Sequence, residues 1–374
     1  MAQEGVEQKG IRNPESIAAA EQQAYERRQQ AFQRTASVAS SNFDVYFYRC
    51  EWAVDPAVRY IRGKVTAYFT VTATTASIVF DLHKALQVDS ILQKGAPLPF
   101  QQGADHSLMV RFAQTLARGQ KDSLSIYYQG VPANEGFGSF ATGMQSNVPV
   151  LWTLSEPYGA KDWWPCKNAQ ADKADSIDIV LTYPAAYSSS SNGVLADEKT
   201  VGDKKISYWK HRYPIASYLV AMAVTNYETN TDSVVLTNTR MPVHMRVYGG
   251  ASDYFRNATA VAKNCLQKFS SLFGPYPFLK EGYSQTQFGW GGGMEHQTNS
   301  FISNEYDQLV AHELSHQWFG DRVTCRSWQD IWLNEGFAQY MQFIYLENFV
   351  PEQKLLHLQT VRGKIIALPG ARSR

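Results

Sequence analysis

Residues 309 to 340 read LVAHELSHQWFGDRVTCRSWQDIWLNEGFAQY. The run opens with His312-Glu313-Leu314-Ser315-His316, inside an apolar stretch from Tyr306 to Phe319 that has the length of a helix. On a helix, positions i and i+4 share one face, so the two imidazoles can converge on a single ion. Imidazole together with carboxylate suits zinc. A surface helix that carries two histidines by chance is the plainer alternative, and two features argue against it. Charged and polar side chains within an apolar helix need a structural reason. A carboxylate, Glu335, also follows His316 by 19 positions within Trp332-Leu333-Asn334-Glu335-Gly336-Phe337-Ala338. The stretch Gly320 to Cys325 can turn the chain so that a following helix brings Glu335 to the same ion. Three protein ligands leave a fourth position for water, the open geometry of a catalytic rather than a structural site. Glu313 then faces that water and can take its proton.

Upstream of this run lies Gly291-Gly292-Gly293-Met294-Glu295-His296. Three glycines let another backbone approach a strand edge closely, so an extended peptide can pair there. Glu295 beside that edge can accept charge-assisted hydrogen bonds from a free α-ammonium group. A glycine-rich stretch alone would read as a flexible turn.

Further out, the pattern changes. Phe43–Tyr48, Lys64–Thr72, Ser77–Asp81, Leu108–Phe112, Ser123–Gln129, Ile177–Thr182, Lys205–Trp209, Tyr218–Val224 and Val243–Tyr248 alternate or cluster β-branched and aromatic residues, as strands do. With almost no helix among them they imply an all-β domain of sheet or sandwich type over about 41–240. Pro132–Gly143 reads as a long loop. After Gly250 the period shifts toward 3.6, predicting helices at Asp253–Phe273, Glu305–Phe319, Ser327–Phe349 and Glu352–Ile366, with a short strand at Gln285–Phe288. Ser16–Gln33 reads as a solvated helix within a polar arm, residues 1–40.

Composition excludes several classes. Apolar residues at 44% and charged residues at 18% describe a folded chain and not a disordered one. With Lys plus Arg at 35 and Asp plus Glu at 34, the net charge of +1 offers no pull toward nucleic acid. No apolar run approaches the roughly 18 residues of a membrane span. Cys50, Cys166, Cys265 and Cys325 form no CxxC pair, so a cysteine zinc site or dithiol redox motif is not expected. Four scattered cysteines most often are core thiols, with one or two disulfides left open. The first 34 residues hold no apolar leader core, which makes a cytoplasmic location the default and a periplasmic or secreted one the alternative if a leader was removed.

Taken together, HExxH, the glutamate of NEGFA and GGMEH resemble the gluzincin zinc aminopeptidases, the aminopeptidase N and leukotriene hydrolase family. Glu156-Pro157 followed by Trp164-Pro165-Cys166 is similar to that family's EP…(F/W)PC segment. The resemblance covers the chain from about residue 41 onward. It implies a multidomain fold: an N-terminal all-β saddle or sandwich-like domain at 41–240, then a thermolysin-like α/β zinc-peptidase domain at 241–374. It implies one zinc ion on His312, His316 and Glu335, Glu313 as general base, and Glu295 with Glu156 holding the amine beside Gly292, Gly293 and Met294. Peptide or protein N-termini are then the substrate; the oligomeric state is left open.

Four positions depart from the family pattern. His296 stands where Asn is usual, Leu154 where Gln is common, and Gln342 where an acidic residue is common. The family also places an oxyanion-stabilising tyrosine well beyond the third ligand, whereas Arg374 lies 39 residues after Glu335. The expectation is a catalytic domain cut short before the family's C-terminal helical domain. Two alternatives stand beside the aminopeptidase: a thermolysin-type endopeptidase, and a zinc-containing peptide-binding protein with little or no turnover.

Overall fold

The computed structural model describes residues 37–133, 138–250, 256–304 and 306–367. Nearly all of the arm read over 1–40, the end 368–374, and the first residues of the helix expected from Asp253 lie outside them.

The first strand, Phe43–Asp55, shows how sequence becomes layer. Phe43 and Val45 are buried, and then the buried positions switch to Tyr48, Cys50, Trp52 and Val54. A period of two would not change parity. The pairing with Val58–Val71 slips between Val45 and Phe47, and one extra residue in a strand sends every later side chain to the opposite face. This strand is central in an eight-stranded sheet that runs from Val194–Val201 at one edge to Ala96–Pro97 at the other. A three-stranded sheet (Thr75–Asp81, Phe100–Gln102, Ser107–Leu116) and a four-stranded one (Ser139–Gln145, Val148–Leu154, Ser188–Ser191, Met222–Thr225) complete the N-terminal domain. Their inward faces share one apolar core containing Trp52, Trp163 and Trp164. Trp164 meets Tyr48 and Trp52 edge-on, and Cys166 exchanges backbone hydrogen bonds with Asp81. The Trp-Pro-Cys segment is therefore core.

The site rests on a mixed five-stranded sheet, in the order Glu228–Leu236, Thr239–Val247, Tyr283–Gln287, Asn299–Ile302, Gly293–Met294. Glu228–Leu236 thus pairs with the second domain's sheet, ahead of the division at 240 read from the sequence. Helices Arg256–Phe273, Asp307–Ser315 and Trp332–Phe349 build a second core with it, around Phe269, Leu314, Trp318 and Met341. A last helix spans Pro351–Ala367.

Local expectations fail where tertiary bonds decide. Pro132–Gly143 is not all loop, because Ser139–Gln145 pairs along its whole length with Val148–Leu154. Tyr218–Val224 is not one strand: Ser217–Leu219 is a turn of 3-10 helix and the strand is Met222–Thr225. The helix expected to reach Phe319 stops at Ser315, and the one expected from Ser327 starts at Trp332 after a 3-10 turn at Trp328–Asp330. All four cysteines are buried and free.

The seam between the domains is polar. Ser190 Oγ and Thr286 Oγ1 lie 2.7 Å apart, and Asn299 Nδ2 donates to Ser190 Oγ and to the Ser191 carbonyl, both at 2.8 Å. His211, wholly buried, lies 2.5 Å from Glu281 by one ring nitrogen and 2.7 Å from Gln297 by the other. Buried polar groups paired in this way favour one relative position of two layers, because any other leaves more of them unsatisfied.

Candidate metal centre

The helix Asp307–Ser315 brings Val310, Ala311 and Leu314 into the second core, and His312 and Glu313 are buried on the same helix. His316 caps that helix and keeps a right-handed helical backbone, so the i, i+4 relation survives the early end. His312 Nε2 and His316 Nε2 lie 3.2 Å apart, and Glu335 Oε2 lies 3.3 Å from His312 Nε2. One ligand atom from each of the three falls within 4.8 Å of the others.

These distances fit zinc. Bonds of about 2.0–2.1 Å in tetrahedral array put neighbouring ligand atoms about 3.3 Å apart. The proton bookkeeping fits as well. His316 Nδ1 is 3.0 Å from the Phe319 carbonyl, which can only accept, so Nδ1 carries the hydrogen and Nε2 presents its lone pair. His312 Nδ1 is 3.2 Å from Gln339 Nε2, and with that amide turned over its carbonyl oxygen accepts an Nδ1 proton in the same way. Gln342, where an acid was expected from the resemblance, bonds instead to Gln308 at 2.9 Å.

Glu313 belongs to a second cluster, which shares His316. Its carboxylate, with Glu295 and His316, forms a second group whose ligand atoms lie within 4.8 Å of one another, all three residues buried. A Cβ added to Gly293 would fall 2.4 Å from Glu313 Cγ, Cδ and Oε1, so the carboxylate packs on bare backbone. The glycine signal read from the sequence thus has a second cause, room for Glu313. Gly293 and Met294 lie in an edge strand paired with Phe301 and Ile302, and the Met294 side chain is buried in the first core. Gly292 sits just before that strand, close against the Trp290 ring.

Glu156 reaches this region from the first domain, through a cis peptide to Pro157. It is buried, and its charge acts on the same two groups as that of Glu295. Burial first, then Glu156 and Glu295, push the Cys325 thiol up to about 12. Burial, then Glu295, Asp321 and Glu156, push the Tyr218 phenol well above its usual range. Sequence reasoning missed Asp321, fully buried in this region, where burial and then the charge of Glu295 raise its carboxyl well above the usual range. It also missed Tyr218, Lys173 and Gln339, none of which belongs to a motif.

Comparison with known proteins gives the family. The family model "Peptidase M1 N-terminal domain" matches residues 46–219, and "Peptidase family M1 domain" matches 294–366. The chain belongs to the peptidase M1 family. Among M1 relatives, Aminopeptidase M1-A of Oryza sativa subsp. japonica is 30% identical over 293 residues, 71% of this chain and 33% of that protein. Endoplasmic reticulum aminopeptidase 1 of Homo sapiens is 26% identical over 330 residues, 78% of this chain and 34% of that protein. The chain spans about a third of the length of these relatives. The fold is that of the M1 zinc metallopeptidase from Deinococcus radiodurans, with a TM-score of 0.77 at 24% identity, over 89% of this chain and 77% of that one. A variant of that protein bound to a Tyr-Ser-Ala substrate gives the same TM-score, 0.77, at 24% identity over 88% and 77% of the two chains. M1 membership carries the two-domain order seen here, a β-rich N-terminal domain followed by the peptidase domain. Among the described residues no helix is long and apolar enough to cross a membrane.

Proposed function

We propose that this chain carries the centre of a zinc metallo-aminopeptidase that removes N-terminal residues from peptides. The observation that carries the reading is a convergence: two imidazoles and a carboxylate at tetrahedral spacing, with two further carboxylates, Glu313 and Glu295, clustered with His316. Zinc, when bound by His312, His316 and Glu335, supplies Lewis acidity to the scissile carbonyl and the attacking water. Glu313 takes a proton from that water and passes it to the departing amine. Glu295 and Glu156 hold the substrate's α-ammonium by charge-assisted hydrogen bonds, which limits the reach of the site to the first residue. The edge strand Gly293–Met294, approached through Gly292, offers backbone groups to an extended peptide. The aminopeptidase names of the relatives support the same reaction.

The test pairs an aminoacyl-anilide with its N-acetylated form, with zinc measured in the same sample. The expected result is about one zinc per chain and turnover of the free amine at least about tenfold faster, since each hydrogen bond to a charged group is worth roughly 1.5–3 kcal/mol. Equal rates would replace the exopeptidase by an endopeptidase. Zinc without turnover of either substrate would leave a peptide-binding protein.

A further inference from the structure

We infer that Tyr218 and Lys173, both in the N-terminal domain, are positioning residues that set the spacing between the histidine pair and Glu335. The inference rests on the zinc reading above. His316 and Glu335 are joined by a connector that lies between the two ligand helices, and a free loop there would leave the third ligand undefined. Closing such a loop at the moment of metal binding costs conformational entropy, whereas a connector already tied down costs little.

The ties are specific. Tyr218 Oη donates to the Gly320 carbonyl at 3.4 Å and accepts from Asn334 Nδ2 at 3.3 Å. Gly320 is four residues past His316, and Asn334 immediately precedes Glu335. One hydroxyl therefore touches both ends of the connector. Asn334 is held in turn by its Oδ1, which accepts the Cys325 N–H at 3.1 Å. Lys173 Nζ donates to the Asp321 carbonyl at 2.6 Å. At the near end, Gly320 has a φ of +136°, a backbone state closed to most side chains, and a Cβ there would sit 3.0 Å from His316 Nδ1.

Apolar packing follows the same path. Cys325 and Trp328 of the connector are members of the first domain's core, and the Trp328 ring meets Tyr218 edge-on at 4.9 Å. The chain thus leaves the second core after Phe319, is anchored in the first, and returns on the helix that carries Glu335. Tyr218 is wholly buried among acidic neighbours, which keeps its phenol protonated and able to donate.

The experiment measures zinc affinity of the full chain by competition with a chromophoric chelator, beside thermal melting of the metal-free protein. Tyr218→Phe and Lys173→Met are compared with His316→Ala and with Tyr183→Phe. Tyr183 is a buried phenol of the same domain, bonded to Ser207 and Glu198 on the eight-stranded sheet, away from the connector. The expected result is a zinc dissociation constant raised about tenfold in Tyr218→Phe and in Lys173→Met, as for loss of an orienting group behind a ligand. Tyr183→Phe should bind zinc as the unaltered chain does. Wild-type affinity in both Tyr218→Phe and Lys173→Met, with affinity lost in His316→Ala, overturns the inference and leaves the zinc reading in place. Equal loss in Tyr183→Phe also overturns it, since the effect would then be general. Zinc binding no tighter in the unaltered chain than in His316→Ala would remove the zinc reading and this inference together.

Discussion

The two histidines and the segment that leads to the third ligand sit in different cores. Around His312 and His316, the buried neighbours Val310, Ala311, Leu314 and Trp318 all pack into the second domain. Cys325 and Trp328, on the way to Glu335, pack into the first. The pair is a local property: helical spacing alone aligns it, whatever the rest of the chain does. Glu335, proposed as the third ligand, depends on tertiary structure: its own helix packs in the second core, while the segment leading to it is anchored in the first. A boundary between domains therefore runs through the centre, and loosening the seam is expected to release metal before it unfolds either core.

The largest effects separate chemistry from assembly. Glu313→Ala should keep zinc and lose roughly two to four orders of magnitude in turnover, as expected for a missing general base. Glu335→Ala should lose the zinc itself, read by metal analysis after dialysis. Retention of zinc in Glu335→Ala would break the contrast between the two cores, because the helix alone would then suffice.

A smaller effect sharpens the strand's part. Gly293→Ala places a methyl 2.4 Å from Glu313 side-chain atoms, so the carboxylate must shift. Zinc should stay while turnover falls by about a hundredfold, the scale of a displacement near 1 Å. Unaltered turnover would show that the carboxylate tolerates another position.

The smallest concerns the acid response. His296 is fully buried against Phe301, neither ring nitrogen has a hydrogen-bond partner among the described residues, and burial pushes its pKa down to about 3. Below about pH 6.5 the unfolded chain takes up a proton that the folded imidazole refuses. Stability should therefore fall as pH drops, by about 2 kcal/mol at pH 5, and level off near the folded value. Urea unfolding at pH 7.5 and pH 5 should show that slope reduced by this amount in His296→Asn. An equal slope in both would assign the acid response to other groups.

The HExxH helix was legible because its signal is short-range: the motif needs only five residues, and the burial of Val310 and Leu314 follows the same period. The β character of the first domain was legible from alternation, although the slip between Val45 and Phe47 hides which face is inward. Other strands carry no such pattern. Ser188–Ser191 is four serines, and it is a strand because its backbone pairs with Met222–Thr225, while Thr286 and Asn299 of the other domain take up polar groups of Ser190 and Ser191. Val194–Val201 is exposed along its whole length, so its sequence has no face to display. Tyr218 looked like one more strand residue. Its hydroxyl matters only through Gly320 and Asn334, more than a hundred positions away in the chain.

The contact between Gly293 and Glu313 has a mechanical consequence. Glu313, the proton acceptor proposed above, is carried by a helix yet leans on the edge strand proposed to receive the peptide. Pressing, lifting or sliding that strand by a fraction of an ångström transmits directly to the carboxylate, with no side chain between them to absorb the motion. On the proposed mechanism, docking and proton removal act as parts of one lever, and a ligand that seats the strand badly also disarms the base.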